Sequence, residues 1–113
     1  MTSTSPAKIA FMILTDSPDR GLPGLLMASR LKMKRGADVR VLFFGPGVRL
    51  AGSGAADQHL ADLIDSGVKP TACAGLVEQF GLADEFASRP VELIAAGAEV
   101  EAFARQGFTV PSF

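Results

Sequence analysis

Apolar residues in this chain fall in short dense runs, separated by stretches with helical spacing. Residues 8–14 (Lys-Ile-Ala-Phe-Met-Ile-Leu) are almost continuously apolar, the pattern of a parallel strand covered on both faces. Residues 15–21 are a turn rich in Asp, Pro, Ser and Gly. Pro23 fits the first turn of a helix, where its missing N–H costs little. Leu22, Leu25, Leu26, Ser29 and Met33 then share one face, with Arg30, Lys32, Lys34 and Arg35 on the remainder. Basic residues near the end suit the helix dipole, and Gly36 is a left-handed stop. Residues 39–44 (Val-Arg-Val-Leu-Phe-Phe) form a second strand, ended by Gly45-Pro46-Gly47. Residues 48–50 extend it briefly, and 51–56 (Ala-Gly-Ser-Gly-Ala-Ala) read as a flexible loop.

Asp57 is a candidate N-cap for a helix with Leu60, Leu63 and Ile64 inward, closed by Gly67. Residues 68–73 form the third strand, with Pro70 at its start or edge. A short helix over 76–80 ends at Gly81, and 82–86 add another turn. Residues 91–94 are a fourth strand, with Ala95-Ala96-Gly97 as its exit. A helix over 99–106 turns Val100, Phe103 and Ala104 inward, Gly107 stops it, and 108–110 form a fifth strand. Strands alternating with helices imply an α/β fold: a three-layer α/β/α single domain with a mostly parallel five-stranded sheet and right-handed crossovers. Residues 1–7 are polar and read as a flexible N-terminus, and 8–113 as the domain.

Composition narrows the classes. The chain has 113 residues, enough for one domain with one core. A net charge of −1 offers no basic footprint for nucleic acid. The apolar run at 9–14 is too short for a membrane span or a signal-peptide core, so a soluble, cytoplasmic protein without membrane partners is expected. The mean hydropathy, +0.28, is high for so small a domain and points to apolar surface and a homo-oligomer.

Cys73 is the only cysteine, so it has no internal disulfide partner. It ends the third strand and opens the next helix, on the sheet edge where parallel α/β folds gather ligands. A helix N-terminus favours negative charge and hence the thiolate, the nucleophilic form. Ala74 and Gly75 are small and leave the sulfur approachable. A packed, inert cysteine is the alternative. Gly45 and Gly47 belong to a turn without the third glycine of a dinucleotide fingerprint. At Thr15-Asp16-Ser17 a phosphate would meet Asp16, Asp19 and the missing donor of Pro18, so flavin or nucleotide binding ranks low. His59, the only histidine, has no partner at metal-ligand spacing. It is either a surface histidine or a base towards Cys73, should the two loops meet. No metal or cofactor is expected.

The segment Phe43-Phe44-Gly45-Pro46-Gly47-Val48, followed by Val68-Lys69 and then Cys73, resembles the DsrE/DsrF-like family, which includes the YchN and TusD-type proteins. The likeness spans nearly the whole chain, from residues 8–14 and the Ser17-Pro18-Asp19 turn to the terminal helix and strand. It implies a small α/β/α domain assembling as a dimer, trimer or hexamer. It also implies a persulfide carried on Cys73 and passed between donor and acceptor proteins. Gly45, Gly47, Arg49, His59, Ala74 and Gly75 would then be the wall or neighbours of the site. Ala74-Gly75-Leu76 departs from relatives that carry polar or cysteine residues there. A non-catalytic binding or assembly module of the same fold is the other reading.

Overall fold

The computed structural model describes residues 5–113, and residues 1–4 of the expected flexible N-terminus lie outside them. Four parallel strands stand side by side in chain order: β1 (Lys8–Ile13), β2 (Asp38–Phe43), β3 (Pro70–Cys73) and β4 (Glu92–Ile94). Six helices among the described residues complete the fold: α1 (Pro18–Arg35), α2 (Gly47–Gly52), α3 (Asp57–Asp65), α4 (Ala74–Gln79), α5 (Ala83–Ala87) and α6 (Ala96–Arg105). The register sets Ile13 beside Phe43, Phe43 beside Ala72, and Cys73 beside Ile94.

Alternation along the strands divides the interior in two. Phe11, Ile13, Val41, Phe43 and Ala72 face a large core closed by α1 to α5 through Leu25, Leu50, Leu60, Val77 and Phe86. Ala10 and Leu42 face a smaller core closed by α6, through Ala96 and Phe103, together with Phe108.

The expected fifth strand is not a regular one. Residues 108–113 run beside β1 and pair with it in parallel, but only as isolated bridges, Ile9 with Thr109 and Met12 with Ser112. Thr109 and Phe113 donate their N–H groups to the carbonyls of Lys8 and Met12. Between them the donor position falls on Pro111, which has no N–H, so the ladder breaks there.

Other differences have local causes. α1 begins five residues before Pro23, with Pro18 in its first turn, and Pro23 lies inside the helix on an exposed face. The buried face of α1 is built from Gly21, Gly24, Leu25, Ala28 and Ser29, whereas Leu26 and Met33 are exposed. Small residues are needed because a Cβ on Gly24 would lie 2.8 Å from the Phe113 ring. Residues 47–52 form buried helix α2 in place of the expected strand extension and loop, because Val48, Leu50 and Ala51 pack into the large core. Asp57 is the first residue of α3 and does not cap it; Arg89 engages its carboxylate instead, at 2.8 Å. In α6 the inward residues are Ala96 and Phe103, while Val100 and Ala104 are exposed.

Candidate functional site

The carboxyl edge of the sheet is assembled from four strand ends. β3 is held to β2 there by its ladder and by the Thr71 hydroxyl, which donates to the Val41 carbonyl at 2.8 Å. Pro70 starts the strand, as its missing N–H allows. Cys73 is the last residue of β3 and at once the N-cap of α4, with extended backbone (φ −67°, ψ 111°). Its side chain makes no capping hydrogen bond. The thiol is partly buried and touches both cores, so it sits at the end of the sheet where the two layers of side chains meet.

Around it the edge is open and low. Gly75, in the first turn of α4, is exposed, and an added Cβ would meet nothing within 4 Å. Ala74 is partly buried beside it. Gly45, in the turn after β2, adopts φ 58° and likewise faces open space. Gly97, in the first turn of α6, is equally open. Continuing the Phe43–Ala72 register by one residue brings Phe44 beside Cys73, and Phe44 is 38% exposed. Met12, Phe44, Ala96, Gly97 and Val100 line an apolar groove of about 290 Å³. Cys73 is not itself among the lining residues; it adjoins the groove through Phe44, its register neighbour, and packs against the same small core as Met12.

The remaining expected neighbours are placed apart from this groove. Gly47 is buried beneath β1, where a Cβ would overlap the Ile13 carbonyl, so it shapes the turn and forms no wall. The Arg49 guanidinium lies 3.8 Å from the centre of the Phe80 ring, at the far end of α4 from Cys73. His59 has a buried Nδ1 without a hydrogen-bond partner, and no hydrogen bond joins it to Cys73. Phe44, Gly97 and Val100 were not singled out from sequence as site residues. The signal available for Phe44 was alternation: Phe43 is inward on one face, which sends Phe44 to the other.

A larger cavity of about 410 Å³ opens at the opposite, amino edge, lined by Arg40, Lys69, Thr71, Glu92 and Glu99 among others. Its charges largely satisfy one another, with Arg40–Asp38 at 3.2 Å and Lys69–Glu92 at 3.3 Å. Parallel sheets present their loops for chemistry at the carboxyl edge, and the only cysteine lies there. Among the described residues no three His, Cys, Asp or Glu side chains gather as metal ligands. No helix among them is long and apolar enough to cross a membrane.

No family model matches the chain. No curated protein matches it either. Solved structures do. The conserved protein of unknown function BT1422 from Bacteroides thetaiotaomicron superposes with a TM-score of 0.83 at 17% identity, over 99% of this chain and all of that one. The ychN protein from E. coli gives 0.74 at 17% identity, over 94% and 99% of the two chains. The protein of unknown function MTH1491 from Methanobacterium thermoautotrophicum gives 0.73 at 16% identity, over 95% and 99%. The chain therefore has the same small parallel α/β fold as these three proteins. With ychN among them, it is the fold that the sequence resemblance implied.

Proposed function

We propose that the protein is a sulfur carrier, with Cys73 as its single nucleophile. The observation that supports this most is the position of Cys73: partly exposed at the carboxyl end of β3, opening α4, with Gly75 leaving free space beside it. The resemblance of the Phe43–Val48 and Val68–Cys73 segments supplies the chemistry. The Cys73 thiolate attacks the outer sulfur of a donor persulfide. A new S–S bond forms to Cys73, the donor's S–S bond breaks, and the donor leaves as a thiolate. The persulfide proton stays with the transferred sulfur, and no oxidant is consumed. An acceptor thiolate then attacks that outer sulfur and releases Cys73 as the thiolate. The apolar groove beside Cys73 receives the donor and acceptor proteins, and the carrier works as a homo-oligomer.

The alternative is an oligomeric binding or assembly module whose thiol is only packed. Contact of Cys73 with both cores favours it. Incubation with a persulfide donor, followed by mass spectrometry of the intact protein, separates the two. The carrier gains one sulfur, and Cys73→Ser gains none. A wild-type protein that neither gains sulfur nor reacts with an alkylating reagent is the binding module.

A further inference from the structure

One edge of the sheet is formed by the segment 108–113, and the outer side of that segment is free. Toward β1, Thr109 and Phe113 donate their N–H groups, and the carbonyls of Thr109, Pro111 and Phe113 accept from Ala10, Met12 and Leu14. Backbone groups of successive residues point to opposite sides of an extended strand, so those of Val110 and Ser112 point outward. Among the described residues they have no backbone partner, and both residues are exposed. Proline often blunts a sheet edge. Pro111 does not, because its missing N–H falls on the inner side, facing β1.

Between this edge and α1 runs an apolar groove of about 520 Å³. Ile9, Phe11, Met27, Leu31, Pro111 and Phe113 line it, and no carboxylate does. Phe113 faces the α1 side of the sheet, where it stacks on Phe11 with ring centres 5.8 Å apart. Met27, on the opposite wall, is 51% exposed. Helical spacing continues the Met27–Leu31 stripe to Lys34 and Arg35 in the last turn of α1. Both are exposed, and the ion pairs among the described residues use other bases: Arg40, Lys69, Arg89 and Arg105. α1 runs back from the carboxyl to the amino edge of the sheet, so this basic pair stands at the end of the groove lined by Ala7 and Gly107.

We infer that this edge binds an extended segment of another protein as an added strand, one with apolar side chains at alternate positions and acidic residues at one end. The outward N–H and C=O groups of Val110 and Ser112 supply main-chain hydrogen bonds, which hold such a segment whatever its sequence. An added strand lies about 4.8 Å beyond the segment 108–113, and every second side chain of it falls on the α1 side. There the groove takes those side chains and selects apolar ones. The acidic end meets Lys34 and Arg35. Exposed charges add little affinity each, but they favour a partner of the opposite sign. The edge is separate from Cys73, and the inference does not rest on the sulfur reading.

Titration calorimetry of the full chain with the blocked peptide acetyl-Asp-Asp-Val-Thr-Val-Thr-Val-amide tests it. Saturable binding of one peptide per chain is expected. N-methylation of the valine amides in one peptide, and of the threonine amides in another, removes donors from opposite sides of the strand. One of the two is expected to lose binding and the other to keep it. Val110→Pro removes an outward donor that bonds nothing within the fold, and should weaken binding roughly fivefold or more. Thermal unfolding checks that variant's fold. Lysines in place of the peptide's aspartates, or K34E/R35E in the protein, should each weaken binding several-fold, and the two changes together should restore it. No saturable binding, equal loss with both methylated peptides, or charge reversals without effect overturns the proposal. So does a Val110→Pro protein of lower mass in sedimentation equilibrium, which would give the edge to a second copy of this chain.

Discussion

At Gly47 an added methyl group would overlap the carbonyl of Ile13, and neither β1 nor the turn has room to yield. Gly47→Ala is expected to cost about 3 kcal/mol, seen as a lower urea midpoint, because overpacking against backbone has no flexible side chain to absorb it. Gly75 is the opposite case. Its surroundings are empty, and alanine in a helix is preferred over glycine, so Gly75→Ala should stabilise by about 0.5 kcal/mol. The same substitution crowds the approach to Cys73, and slower alkylation than in the wild type is expected. Sequence alone does not separate two such glycines. Gly45 answers to its own backbone, with φ 58°, whereas Gly47 answers to a strand far back in the chain. Composition reports that a turn needs glycine, not which glycine touches what.

At the scale of elements, one side chain ties together parts of the chain that pattern alone keeps separate. Arg89, between α5 and β4, donates to Asp57 Oδ1 at 2.8 Å and to Oδ2 at 3.3 Å, and also to the Glu85 carbonyl. The hydrogen bond with Asp57 raises the Arg89 pKa above its ordinary value, and burial opposes it. The clamp joins the start of α3 to the approach of β4. Arg89→Ala and Asp57→Ala should each lower stability by about 1 kcal/mol, and the double variant should lose little more than either alone. Independent, additive losses in urea titrations would show that the pair is not coupled. From sequence, Asp57 was legible as a helix-start residue but its partner was not. Capping signals span a few residues, and this carboxylate is taken by a guanidinium from another loop.

Across the whole molecule, the two faces of the sheet are unequally covered. Five helices close one core, while α6 alone, helped by Phe108, closes the other. Fewer buried contacts hold α6, so its amides should exchange with solvent at least about tenfold faster than those of β1 and β2 in native-state hydrogen exchange. Equal protection would mean that the two cores open as one unit. Since Ala96, Gly97 and Val100 of α6 form one wall of the groove beside Cys73, this opening would widen the site. The order of strands and helices, the stop at Gly36 and the arrival of Cys73 at a strand exit were readable along the chain. Each depends on periodicity and turn residues within one stretch. Three features were settled only by packing: the burial of residues 47–52 as a helix, the broken edge at Pro111, and the convergence of Met12, Phe44 and Val100. These depend on strand register and on which face each helix presents, and both are set by contacts between residues far apart in the chain.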